Sequence, residues 1–229
     1  MDPMNLQNTQ NKMKSIKGNT AAGNIALGCL MTLFCIGGFY MLISEGQLTG
    51  LLVGLLFAAA AYAFWSSIPK EKKAVRESWG ALAPDLVNRI EMDAAQAPII
   101  GNAFVTRDAV VKKSSQGPIV IPAKDIMWIY GKETTHKMYG VISTGKTFNT
   151  MIVDRTGTVT ELQGTNTKAK LKEGEAKPTD SELRTLFEIL KPGYPGILFG
   201  YKPEIAAMAN KQNIGKLAEL VDRANAENR

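Results

Sequence analysis

The chain has 229 residues, 45% hydrophobic and 21% charged, with a formal net charge of +6. This is too apolar for a disordered polymer, and the only cysteines, Cys29 and Cys35, cannot build a disulfide framework or a zinc site without companions. No nucleic-acid-binding module accompanies the positive balance, so nucleic acid is not an expected partner.

Residues 1–22 are rich in Asn, Gln, Lys and Thr and show no apolar period, which predicts a disordered basic tail. Residues 23–68 hold two runs, Ile25 to Ile43 and Leu48 to Ile68, that contain no Lys, Arg, Asp or Glu. At ~1.5 Å per residue each crosses a ~30 Å hydrocarbon core. Only Ser44-Glu45-Gly46-Gln47 separates them, so the pair reads as a transmembrane helical hairpin with Cys29 and Cys35 as packing residues. Lys12, Lys14 and Lys17 precede it, and Lys70, Lys72, Lys73 and Arg76 follow it. Cationic flanks mark the cytoplasmic side, which predicts a two-pass plasma-membrane protein with both termini inside. Lys17, Lys70, Lys72, Lys73 and Arg76 are then membrane-surface contacts to anionic lipid. Gly28, Gly50, Gly54 and Ala58 supply small-residue faces for transmembrane packing, within the hairpin or against another membrane protein.

Residues 69–100 read as a helical connector that starts at Pro69. Ala74, Val75, Trp79 and Leu82 share a face, and Pro84 opens a second short helix with Leu86, Val87 and Ile90. From Gly101 the period becomes two. Strands are expected at 102–106, 109–113, 118–121, 125–132, 147–154 and 158–163, with a turn at Arg155-Thr156-Gly157. Residues 131–146 and 164–178 read as loops. Thr179-Asp180-Ser181-Glu182 matches a capping box, followed by a helix through Leu183, Leu186, Phe187 and Leu190. Residues 192–229 form a C-terminal helical extension. The expected class is α+β: the hairpin, then a small bent sheet or barrel over residues 101–191 capped by one helix.

Phe104-Val105-Thr106-Arg107-Asp108-Ala109-Val110-Val111, followed by Ile121-Pro122-Ala123-Lys124-Asp125-Ile126, resembles the opening of bacterial pleckstrin-homology-like domains. The Asp154-Arg155-Thr156-Gly157 turn and the capped helix fit the same plan, in a branch anchored by two membrane helices. The resemblance implies binding of protein or peptide more than of phosphoinositide.

Gly140-Val141-Ile142-Ser143-Thr144-Gly145-Lys146-Thr147 matches the phosphate-loop pattern G-x-x-x-x-G-K-[ST]. Such a loop needs a following helix, and Phe148 to Asp154 reads as a strand. The basic, hydroxyl-rich loop over residues 131–147 is nonetheless the candidate ligand site, with Lys132, His136, Lys137, Gly145, Lys146 and Thr147 as its binding residues. No catalytic residue, cofactor or metal is implied. The leading expectation is a non-catalytic, membrane-anchored binding or scaffold protein with a protein partner or a second copy of itself. The alternatives are a sensor of a lipid head group or nucleotide phosphate through the 131–147 loop, and an accessory subunit of a larger membrane complex.

Overall fold

The computed structural model describes residues 6–16, 21–45, 48–138, 142–162, 166–167, 178–209 and 212–227. The chain divides into two units, one made of Gly18–Ala81 with Lys113–Ile119, the other of Met1–Lys17, Leu82–Lys112 and Val120–Arg229.

The first unit is built on two antiparallel helices, α2 (Ala21–Glu45) and α3 (Leu48–Gly80). Glycine makes their close approach possible. A Cβ on Gly38 would lie 2.6 Å from Gly54 N and 3.0 Å from Gly50 O, and one on Gly28 would lie 2.5 Å from the Phe64 ring. Phe34 stacks on Phe57 at 5.1 Å, and Trp65 Nε1 donates to Thr32 Oγ1 at 3.3 Å. The small residues therefore serve packing inside the pair. By length and composition, one described helix, Thr49–Gly80, is suited to crossing a membrane, and Ile25–Met41 is a shorter apolar helix.

The boundary expected at Pro69 is not there, because α3 continues through it to Gly80. A proline inside a helix costs ~3 kcal/mol. Here the helix is held on both sides of it, by α2 and by the turn that Lys113–Ile119 contributes. Trp79 Nε1 donates to Pro118 O at 2.8 Å, and Gly117 (φ +133°) sits over Val75, where a Cβ would come within 3.3 Å.

In the second unit the N-terminal segment differs from its reading as a disordered tail. Gln7–Ser15 form a helix, α1, with Leu6, Thr9, Met13 and Ile16 buried, and α1 packs on α4 (Pro84–Ala94). A nine-residue polar helix does not persist alone in water. Tertiary contacts supply what its sequence lacks: Leu6 is a poor cap, and the Glu91 carboxylate of α4 accepts from the backbone N–H of Asn8 and, at 3.0 Å, of Thr9.

The strands form two sheets. The first runs β1 (Ile99–Ile100), β2 (Ala103–Val105), β3 (Ala109–Ser114), β4 (Gly117–Pro122) in spatial order. The second contains β5 (Ile126–Met138), β6 (Ile142–Asp154), β7 (Val159–Leu162) and β9 (Leu198–Phe199), ordered β7-β6-β5-β9, with β8 (Asn166–Thr167) also on β6. Gly157 (φ +77°) turns β6 into β7, and the Asp154 carboxylate accepts from Thr156 N at 2.9 Å and Thr158 N at 3.0 Å.

Ile100, Val105, Val110 and Ile121 of the first sheet share one core with Ile129, Ile152 and Leu162 of the second and with Leu186 and Leu190 of α5 (Pro178–Leu190). The α+β class is as expected, with a helix on the sheet core. The capping box is not: α5 starts at Pro178, so Thr179 lies within its first turn, and Glu182 accepts from Thr150 Oγ1 at 2.5 Å.

The C-terminal helices α6 (Pro203–Met208) and α7 (Ile214–Glu227) cover the opposite face of the second sheet, burying Met127, Trp128 and Val153 against Ile205, Leu217 and Val221. Arg155 grips Asp222 of α7 through both terminal guanidinium nitrogens, one at 3.1 Å, and its Nε donates to Lys124 O at 3.0 Å. The Asp222 carboxyl is held below its ordinary range by that hydrogen bond from Arg155.

Candidate functional site

The segment read as a basic loop is instead a two-stranded ribbon. Strand β5 runs on past Lys132 to Met138, and β6 begins at Ile142. Thr134, Thr135, Thr147 and Thr150 are β-branched and suit extended backbone, so pairing with the opposite strand carries the sheet through the polar stretch. The register pairs Lys132 with Asn149, Thr134 with Thr147, Thr135 with Lys146 and His136 with Gly145.

Strand alternation sorts the candidate residues onto two faces. On the face that continues the α6–α7 side stand Tyr130, Lys132, Thr134 and His136, opposite Met151, Asn149, Thr147 and Gly145. Here His136 Nε2 lies 2.6 Å from Thr147 Oγ1, and Lys132 is exposed. On the other face Lys146 is ion-paired with Glu133. The backbone of Lys137 lies in β5, while its side chain, like residues 140–141, falls outside the description.

Lys146 and Thr147 sit inside a strand that runs on to Asp154, with no helix N-terminus behind them. The amide cradle of a phosphate loop is therefore not formed by Gly145 to Thr147. Lys17 lies outside the described residues. Lys70, Lys72, Lys73 and Arg76 are exposed on α3, where Lys73 pairs with Glu77 at 3.6 Å.

An aromatic cluster marks the base of the ribbon. Trp128 stacks on Tyr130 with centroids 4.0 Å apart, and Tyr201 lies 6.0 Å and 5.8 Å from the two rings. Trp128 Nε1 donates to Gly200 O at 2.7 Å, fixing the chain after β9. Burial, with a smaller contribution from Tyr201, raises the Tyr130 phenol above its ordinary value. Sequence reading missed this cluster because Tyr201 is far from Trp128 and Tyr130 along the chain. The apolar run at Leu198-Phe199 was the available signal.

On the inner side Gly131 meets the start of α5: a Cβ there would lie 2.9 Å from Thr179 Oγ1. Glu182 beside it has its carboxyl raised, chiefly by burial, against the opposing hydrogen bond from Thr150.

A concavity of about 480 Å³ opens elsewhere on this unit. It is lined by Met92, Asp93 and Gln96 at the end of α4, by Val105, Thr106 and Arg107, and by Ile189 of α5. Next to it Arg89 Nε donates to Asp108 Oδ2 at 2.8 Å, and Tyr194 donates its hydroxyl to Asp108 Oδ1 at 3.3 Å. Burial first, and then Asp108, raise the Tyr194 phenol. These residues come from separate segments, so no local motif announced them. Among the described residues no group of three or more His, Cys, Asp or Glu is placed to hold a metal.

No curated protein and no solved structure matches the chain. A family model described as Domain of unknown function (DUF6709) matches residues 84–209, a span holding α4, both sheets, α5 and α6. That match covers more than half of the 229 residues, and the chain belongs to the DUF6709 family.

Proposed function

We propose that this chain is a non-catalytic, membrane-anchored binding or scaffold protein, inserted through α2 and α3 with both termini cytoplasmic, whose second unit is a pleckstrin-homology-like domain that binds protein. The observation that carries this reading is the outer surface of the helix pair. Leu33, Ile36, Ile43, Leu52, Leu56 and Tyr62 are all exposed, with Ile43 84% and Leu52 70% accessible. Contiguous apolar surface of this kind is stabilised in lipid and costly in water. Gly28, Gly38 and Gly54 pack inside the pair, and its exposed apolar faces are free to meet acyl chains.

The two-sheet core closed by α5 supports the pleckstrin-like assignment. The engagement of Lys146 with Glu133, and the strand that follows Thr147, count against the phosphate-sensor alternative. Packing of Gly28, Gly38 and Gly54 inside the pair counts against the accessory-subunit alternative, while Gly37 stays open.

Alkaline extraction of membranes carrying the full chain tests the anchor, with thiol labelling of a Gln47→Cys variant in which Cys29 and Cys35 are serine. The chain is expected to stay in the pellet, and an impermeant reagent added outside intact cells is expected to label position 47. Release into the supernatant, or labelling only after the cells are opened, would overturn the two-pass reading.

A further inference from the structure

Helix α4 and the turn between β2 and β3 carry two sets of opposite charges, and only one of them closes. Arg89, Met92 and Asp93 recur at three- and four-residue intervals and share one face of α4. The turn supplies Arg107 and Asp108. Arg89 Nε donates to Asp108 Oδ2 at 2.8 Å. Asp93, one helical turn further along, and Arg107 are both exposed, and among the described residues neither makes an ion pair. Both line the concavity of about 480 Å³.

The backbone beneath each of these charges is fixed. Asp108 is held by Arg89, by the Tyr194 hydroxyl at 3.3 Å and by Ala123 N, which donates to Asp108 O at 2.8 Å. Thr106 N and Thr106 Oγ1 both donate to Ala109 O, at 2.9 and 3.1 Å. On the α4 side, Asp93 O accepts from Gln96 N at 3.2 Å and from Ala97 N at 3.0 Å. The two walls are therefore set before any ligand arrives, which lowers the ordering cost of binding.

We propose that this concavity binds a small zwitterion with an apolar side chain, an amino acid or a dipeptide, with its carboxylate on Arg107 and its ammonium on Asp93. This goes beyond the protein-binding reading and does not depend on it.

The lining defines that chemistry. The planar fork of an arginine matches a carboxylate. Asp93 lies in the last turn of α4, which carries no basic residue, and the negative end of a helix favours a cation there too. Lys12 of α1 donates to one carbonyl at this end, Ala95 O at 3.2 Å, and leaves the Asp93 carboxylate unpaired. Ala97 and Val105 are buried, and with Ile189 and the 75%-accessible Met92 they offer apolar contact. A ligand that is only anionic would meet Asp93 unfavourably, and one that is only cationic would meet Arg107. The volume falls in the range of small-molecule sites, ~300–1,000 Å³.

The test titrates the full chain in detergent and follows binding by saturation-transfer NMR. The probes are leucine, methionine and phenylalanine, the dipeptide of each with itself, and the N-acetyl and amide derivatives of all six. At least one zwitterion is expected to bind, and blocking either of its ends is expected to weaken it by about tenfold or more. The amino-acid and dipeptide series separate the two ligand sizes. Arg107→Gln is expected to abolish the preference for the free acid over the amide and to keep the preference for the free amine over the N-acetyl form. Asp93→Asn is expected to do the converse, and Arg107→Lys to retain the first preference. Unchanged amide exchange in β2 and β3 shows that these exposed substitutions leave the fold intact.

Absence of binding in both series, or loss of both preferences together in either single variant, would overturn the proposal. Blocked dipeptides that bind as well as free ones would overturn it while leaving the protein-binding reading in place.

Discussion

At Glu182 environment and ordinary chemistry diverge. It faces Thr150 across the inner side of the ribbon, and burial raises its carboxyl above the unfolded value of 4.5. A folded-state pKa above the unfolded one means that the native protein holds this proton more tightly. The resulting contribution is fully present below the unfolded value and is lost as pH rises through the folded value. Glu182→Gln keeps an acceptor for the Thr150 hydroxyl but carries no charge to desolvate. It is expected to raise the melting temperature at pH 7, with the gain shrinking to nothing as the pH falls below the unfolded carboxyl range. Melting curves across that range check it, and a gain that persists at low pH would mean that packing, not charge, is responsible.

At the scale of elements, α1 and the ribbon show how tertiary contacts override local composition. Residues 7–15 carry no apolar stripe strong enough to predict a helix, yet Leu6, Met13 and Ile16 are buried. The docking is imperfect, since Thr9 is fully buried and its hydroxyl finds no partner among the described residues. An unsatisfied buried hydroxyl costs ~1–3 kcal/mol, so α1 is held with little to spare. Glu91→Ala removes the acceptor for the amides of Asn8 and Thr9. Loss of a cap of this kind costs ~0.5–2 kcal/mol. We expect amide exchange over residues 7–15 to accelerate in this variant, while exchange in β2 and β3 stays as it was. Acceleration throughout the unit would show that α1 is part of the global core. The ribbon makes the converse point: Gly, Lys and Thr composition suggested a loop between residues 131 and 146, but threonine favours extended backbone once a partner strand is opposite it.

Across the whole molecule, the placement of α7 has the widest consequences. Leu217 and Val221 are buried against Met127, Trp128 and Val153, so the second sheet is covered on both faces around these residues. Leu217→Ala is expected to destabilise the second unit by ~2–5 kcal/mol, the range for truncating a fully buried leucine. Chemical denaturation followed by the emission of Trp128, with Trp65 and Trp79 replaced by Phe, reads this. A change under ~0.5 kcal/mol, the usual range for surface substitutions, would mean that α7 is dispensable.

The apolar helices, the strands from Asn102 to about Lys132 and through Asp154, the Gly157 turn and the helix through Leu190 were legible in the residues. Each is written in local periodicity or turn chemistry: unbroken apolar runs, alternation of two, an Asp-x-x-Gly turn, and a 3.6-residue repeat. The uninterrupted passage of α3 through Pro69, the docking of α1 on Glu91, the Lys146–Glu133 pair and the Trp128–Tyr130–Tyr201 cluster were decided only by the tertiary structure. Each depends on residues far apart in the chain, or on support from a neighbouring element. Local patterns record what a segment prefers by itself; which preferences survive depends on the surfaces that folding brings against it.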